Sequence, residues 1–334
     1  MTTVQTQTNH IAPRVSVDVF APVREDLRRV ETRLAESMPF EHEALQQALA
    51  HLLAAGGKRV RPAVALLVAG IFDTPPDKAV TFGAAVEMLH TATLVHDDLI
   101  DGSLLRRGIA TINANWSPAA TVLTGDFLFA RAAGLAAQTG SVRVMEIFAR
   151  TLAVLVNGEI EQLFEGHAKL SREDYYTRIY AKTASMFELA CEAAAVLGGA
   201  SEREIQALAT FGREIGKAFQ VVDDVLDYVG TPEMLGKPAG GDLLRGLVTL
   251  PALYYIEANP NDHDMLALLD GKMGNPALTA KVVAAVRESE AVSQAVSEAR
   301  MMAERGVAAL DSFPESEEKA ALVTLADYLV SRHF

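Results

Sequence analysis

The sequence predicts one large all-α domain, and three observations carry that prediction. Apolar residues recur with helical period from near the start of the chain to its end. Alanine-rich runs such as Glu192-Ala193-Ala194-Ala195 favour helix and let helices approach closely. Segments alternating apolar and polar residues over strand length are absent. With 334 residues, 50% of them hydrophobic, the chain can bury a large core.

Residues 1–20 read as a polar, flexible tail and 21–334 as the domain. The opening MTTVQTQTNHIAPRV has neither the charged nor the apolar segment of a secretory signal, while the lack of acids before Asp18 leaves a transit peptide open. Helices over 22–38 and 43–55 are amphipathic; those over 60–71, 79–100, 120–138 and 142–164 are more apolar, as interior helices are. Further helices follow over 173–197, 202–228, 247–258, 263–269, 278–288, 290–310 and 315–332. Breaks fall at Gly56-Gly57, Asp73-Thr74-Pro75-Pro76, Thr139-Gly140-Ser141, Gly198-Gly199 and Asn275-Pro276. The longest, Tyr228 to Asp242, is long for a connector and reads as a candidate lid. No run of about 18 uncharged apolar residues occurs, so no membrane span is predicted.

A net charge of −13 argues against a nucleic-acid partner. The single cysteine, Cys191, excludes an intramolecular disulfide and reads as a small buried apolar residue. The expected location is cytoplasmic.

Two acid clusters carry the chemistry. Asp97-Asp98-Leu99-Ile100-Asp101 and Asp223-Asp224-Val225-Leu226-Asp227 share one pattern and begin 126 residues apart. Carboxylates at i and i+4 share a helix face, and crowded like charges repel unless cations lie between them. Both clusters sit near helix C-termini, where the helix dipole disfavours acids, and both follow apolar helix rather than solvated surface. Two such faces suit Mg²⁺, a hard ion that prefers oxygen and phosphate-bearing partners. Basic groups accompany them: Lys58-Arg59-Val60-Arg61 at a helix start, Arg106-Arg107, Lys182-Thr183, and Lys237 in the lid. Together these predict a site for two diphosphates, one bound through metal and one by cations directly. Glu87-Met88-Leu89-His90 has the E-x-x-H form of a di-iron ligand pair, but no second copy exists, and His90 can instead donate to a phosphate. Glycine-rich nucleotide loops are absent.

These residues resemble the trans-polyprenyl diphosphate synthases. The matching segments run in the family's order: GGKRVRP (56–62), EMLHTATLVHDDLIDGSLLRRG (87–108), LTGDFLFARA (123–132), GEIEQL (158–163), YAKTASMF (180–187), GKAFQVVDDVLDY (216–228) and GKPAGGDLLRGLVTLP (236–251). The resemblance implies an isoprenoid-synthase fold, a large helical bundle around a central cavity, in a homodimer. It implies an enzyme that adds isopentenyl diphosphate to an allylic diphosphate with Mg²⁺ as cofactor, and no side-chain general base. Carried over by position, Lys58, Arg61, His90 and Arg107 bind isopentenyl diphosphate. Asp97, Asp101 and Asp223 ligate Mg²⁺, with Asp98, Asp224 and Asp227 ligating or orienting. Arg106, Lys182, Thr183, Gln220 and Lys237 contact the allylic diphosphate or its cation. One departure is Leu247, where many members carry a lysine; Arg245 is the nearby cation.

Product length is expected to depend on the residues before Asp97. Short-chain members have a bulky aromatic four or five positions earlier; here Thr93 and Ala92 are small, and Leu89 continues the face about 12 Å below Asp97. Long-chain products above twenty carbons are expected, with transient membrane contact for release. The rivals are a geranylgeranyl-length synthase, a class I terpene cyclase, which would not need Lys58, Arg61 and Arg107, and a non-catalytic subunit of a heteromeric synthase.

Overall fold

Helix α2 (Val60–Ile71) spans the residues that periodicity predicts, and most other helices differ from expectation only where a cap decides the boundary. The structure, a computed structural model, describes residues 19–37, 43, 46, 49, 59–106, 108–165, 170–230, 239–272 and 274–331. A 3₁₀ turn (Ala21–Val23) leads into α1 (Arg24–Glu36), and after α2 comes α3 (Pro76–Ile100). A two-stranded antiparallel hairpin, β1 (Leu105–Arg106) and β2 (Ile109–Ala110), precedes the short α4 (Ile112–Asn115). Then follow α5 (Pro118–Gln138), α6 (Val142–Glu165), α7 (Arg172–Ile179), a π-helical turn (Tyr180–Ala184), α8 (Ser185–Leu197) and α9 (Glu202–Val229). The chain ends with α10 (Gly241–Leu244), α11 (Leu250–Ala258), α12 (His263–Ala267), α13 (Pro276–Glu288), α14 (Ala291–Ala308) and α15 (Glu317–Ser331).

Proline and capping residues move several starts. Pro76 and Pro118 take first-turn positions, where a missing N–H costs nothing, so α3 and α5 begin before the expected 79 and 120. Ser201 and Glu204 form a reciprocal capping box at the head of α9. The expected 173–197 helix is one rod interrupted by the π turn, and the expected 263–269 helix leaves helical dihedrals at Asp270 and Gly271. The hairpin and α4 were not expected. The 43–55 helix lies, but for Glu43, Gln46 and Leu49, outside the described residues. Of the segment expected as a lid, residues 231–238 lie outside the described residues; α9 runs to Val229 and α10 starts at Gly241.

Among the described residues, buried apolar side chains from Val19 to Val330 form one contiguous cluster. Helix α3 packs most extensively on α5 and also on α2, and α9 packs on α8 and α14. Buried Cys191 belongs to this core. Contrary to expectation, one helix, α5, is long and apolar enough by length and composition to cross a membrane. It carries Asp126 and Arg131 and lies along α3.

Candidate active site

The last turns of α3 and α9 bring the acid clusters to the site, and a π turn links them. Lys182, in that turn, donates from Nζ to Glu159 Oε1 at 2.8 Å and stands 3.8 Å from Asp97 Oδ2. Its neighbour Thr183 donates to Gln220 Oε1 at 2.6 Å, and Gln220 Nε2 donates to Asp224 Oδ1 at 2.7 Å. Adjacent residues of the π turn thus reach both clusters, Lys182 toward Asp97 and Thr183, through Gln220, toward Asp224. Two glycines make room for the turn: a Cβ on Gly158 of α6 would lie 2.5 Å from Ala181 Cβ, and one on Gly216 of α9 would lie 2.5 Å from Ala184 Cα. Both helices press on the π turn, a conformation often found at functional sites.

Within the first cluster the three acids differ. Asp97 is half-buried, Asp98 is buried and Asp101 is exposed at the C-cap. Both oxygens of Asp98 accept from Arg106 Nε, at 2.9 and 3.0 Å, with Arg106 Nη2 at 2.7 Å from Oδ1. The hairpin carries Arg106 back to α3 for this bidentate contact. Asp98 is thus held by Arg106 rather than set on the cavity wall, which favours an orienting part over ligation. Arg106 is likewise engaged by Asp98 as well as being a candidate for the allylic diphosphate.

In the second cluster Asp223 is half-buried, while Asp224 and Asp227 are buried. Asp224 accepts from Tyr175 Oη at 2.7 Å. Asp227 Oδ2 accepts from the backbone N–H of Asp242 at 3.0 Å, and its carbonyl accepts from Gly240 N at 2.7 Å. Asp227 therefore fastens the head of α10 to the end of α9. Arg245 donates to Asp242 at 2.7 Å, so the cation nearest Leu247 already has an acidic partner.

Burial dominates the proton affinities here. Asp97 is pushed up to about 6, first by burial, with the Lys182 ammonium opposing. Burial and then the Asp242 charge hold Asp224 well above the usual carboxylate range. Lys182 is held above its ordinary value by Asp97 and Glu159, although burial works the other way. Among the described residues no three acid, histidine or cysteine side chains converge on one point. Oxygen ligation by Asp97 requires loss of its proton, and a divalent cation beside it would offset the charge that burial disfavours.

These shifts set a pH dependence. An unfolded chain releases the Asp97 proton near 3.8, whereas the folded chain keeps it to about 6. Folding then loses stability as pH rises through that window, by at most about 3 kcal/mol for Asp97. The Asp224 contribution is lost over the same window and on to higher pH. Melts without divalent metal are expected to fall by a few degrees between pH 5 and 7, and by less in Asp97→Asn; equal slopes in the two proteins would contradict the assignment.

Among the residues expected to bind isopentenyl diphosphate, Arg61 Nη1 contacts His90 Nε2 at 3.2 Å and its guanidinium lies 5.0 Å from the Phe187 ring centre. Arg59 is instead paired with Glu87 at 2.5 Å, which takes Glu87 out of any metal-binding E-x-x-H. Lys58, Arg107 and Lys237 lie outside the described residues.

Below Asp97 and Lys182 opens a cavity of about 230 Å³. Its polar end is made by His96, Asp97, Glu159 and Lys182; its walls are Thr93 and Ile100 of α3, Phe129 of α5, and Leu152, Leu155, Val156, Ile160 and Leu163 of α6. Of the three expected length-setting residues, Thr93 lies on this wall. Ala92 and Leu89 are fully buried in the core and are not part of the lining. One residue along a helix turns a side chain by about 100°, which separates Ala92 from Thr93. The α6 wall, Glu159 and Tyr175 had no part in the site expected from sequence. For the α6 residues the signal was an i, i+3, i+4 stripe indistinguishable from an ordinary core stripe; Tyr175 had none.

The polyprenyl synthetase family model matches residues 42–288. The chain belongs to that family. It is 37% identical to octaprenyl diphosphate synthase of Haemophilus influenzae, over 92% of this chain and 94% of the relative. It is 36% identical to heptaprenyl diphosphate synthase component 2 of Geobacillus stearothermophilus, over 95% of this chain and 98% of the relative. Among solved structures, polyprenyl synthase from Caulobacter crescentus complexed with calcium and isoprenyl diphosphate matches with a TM-score of 0.89 and 37% identity, covering 95% of this chain and 97% of that one. The all-α architecture is that of the isoprenoid synthases, and the enzyme transfers prenyl groups to lengthen a polyprenyl diphosphate. The calcium in the Caulobacter structure accords with divalent-metal use in the family.

Proposed function

We propose that this synthase, as a homodimer, condenses isopentenyl diphosphate successively onto an allylic diphosphate to make a trans product longer than twenty carbons, with Mg²⁺. The observation that carries this reading is the junction of two acid clusters with an apolar cavity opening beneath Asp97. Asp97, Asp101 and Asp223 would hold Mg²⁺; Asp98, Asp224 and Asp227, each fixed by a partner, orient the acids beside them. When bound, the metal neutralises the allylic diphosphate and eases its departure as a Lewis acid.

Arg106, Lys182, Thr183, Gln220 and Lys237 would contact the allylic diphosphate or its cation. Lys58, Arg61, His90 and Arg107 hold isopentenyl diphosphate. The allylic C–O bond breaks, the isopentenyl double bond supplies the electrons of the new C–C bond, and a proton leaves the condensed chain to the departing diphosphate. The tail then extends between α3, α5 and α6. Relatives named for octaprenyl and heptaprenyl products support the long-chain reading.

Apolar side chains on α5 and α6 support the dimer: Leu123 is 67% exposed, Leu163 65% and Phe164 81%. Incubating the purified chain with isopentenyl diphosphate, Mg²⁺ and primers of ten, fifteen and twenty carbons, alongside light scattering, tests the whole reading. Expected are a mass of two chains, consumption of isopentenyl diphosphate, and products above twenty carbons. Lack of consumption would favour the cyclase; consumption only with a second protein would favour the subunit of a heteromer.

A further inference from the structure

Arg59 combines two costs in one residue. Its backbone is left-handed, at φ 47, which a side chain with a Cβ rarely adopts, and its guanidinium is largely buried. A cation at a helix start could stay solvated at no such cost. Instead, Arg59 Nη1 lies 2.5 Å from Glu87 Oε1, with Glu31 at 3.7 Å, and the Glu87 side chain is only 6% exposed. Removing one partner of a buried pair leaves an uncompensated charge, so the contact is strongly held.

The geometry of this pair relates it to the isopentenyl side. Arg59 is the residue between Lys58 and the first turn of α2, which carries Arg61. Glu87 lies three residues before His90 on α3, so the two share a helix face. That face holds α2 twice: Glu87 grips Arg59, and His90 meets Arg61 at 3.2 Å. We propose that Glu87 and Arg59 are positioning residues that set the cationic turn for isopentenyl diphosphate, although neither touches it. Arg59 is thereby withdrawn from the anion-binding set in which its sequence neighbours belong. The inference rests on the isopentenyl diphosphate assignment of Arg61 and His90.

The test is steady-state kinetics of the full-length enzyme for each substrate separately, in Glu87→Gln, Arg59→Gly, Arg59→Lys and Arg61→Ala. KM does not depend on the fraction of enzyme that is folded, so a merely structural loss lowers apparent kcat and leaves both KM values in place. Glu87→Gln and Arg59→Gly are expected to raise KM for isopentenyl diphosphate roughly tenfold, as small misplacements of a binding group do, with the allylic KM within about twofold. Arg59→Lys, which keeps an ion pair, is expected to stay near the parent value. Glycine adopts the left-handed conformation without strain, so Arg59→Gly removes the ion pair alone, and an unchanged KM there would overturn the pair's role. If Arg61→Ala raises this KM while Glu87→Gln does not, the positioning inference fails. If Arg61→Ala leaves it unchanged, the assignment beneath it fails.

Discussion

Asp97→Ala and Asp223→Ala are each expected to lower Mg²⁺-dependent kcat/KM roughly a thousandfold, since metal stabilisation of a leaving group supplies several kcal/mol. The larger loss belongs to Asp97, which faces the cavity and has Lys182 within 3.8 Å. Without it, Lys182 is left with Glu159 as its acidic partner. Stability should move the other way. Asp97 is an acid whose burial raises its proton affinity to about 6, so at pH 8 the folded chain carries a charge that folding disfavours. Its removal is expected to hold or raise the melting temperature at that pH in the absence of metal. Kinetics with Mg²⁺ titration and a melt at pH 8 check both halves. Full activity in either variant would refute the metal assignment.

Thr93→Phe is expected to shorten the product distribution by one or more isoprene units while turnover of the first condensation persists. Thr93 lies on the cavity wall one helical turn below Asp97. Phenylalanine there would fill space on the path of the chain and remove apolar surface. Burial of each five-carbon unit contributes up to about 4 kcal/mol, so losing room for one unit removes the main drive for that step. Ala92→Phe is the useful contrast. Ala92 is fully buried in the core, so an aromatic there acts by overpacking, at about 1–3 kcal/mol of stability, before it reaches the cavity. Chromatography of products from the two variants distinguishes them; an unchanged distribution in Thr93→Phe would remove this wall from length control.

Much of the helical layout was legible because caps and period are local. Helix α2 matches to the residue, and Ser201 with Glu204 marks the head of α9. The acid clusters were legible for the same reason, being contiguous in sequence. What stayed hidden depends on distant partners. Arg59 and Arg106 look like equivalent free cations until Glu87 and Asp98 are seen to hold them. The π turn was hidden for another reason: one extra residue in a helix leaves composition unchanged and only shifts the phase of the pattern. Glu159 reads as a surface acid on an apolar stripe until Lys182, 23 residues on, is found beside it.

The cavity wall on α6 is built from side chains that water can reach: Val156 and Ile160 are 46% exposed, and Leu163 is 65% exposed. Among the described residues, one side of this groove is therefore left open to water. A growing hydrocarbon tail there would keep part of its length against solvent, forfeiting the gain that draws each further unit inward. Whatever closes that flank, a second copy above all, becomes part of the instrument that decides where elongation stops. In the proposed homodimer, chain length would be a property of the assembly, and a surface residue on one subunit would act as a stop on the product of the other.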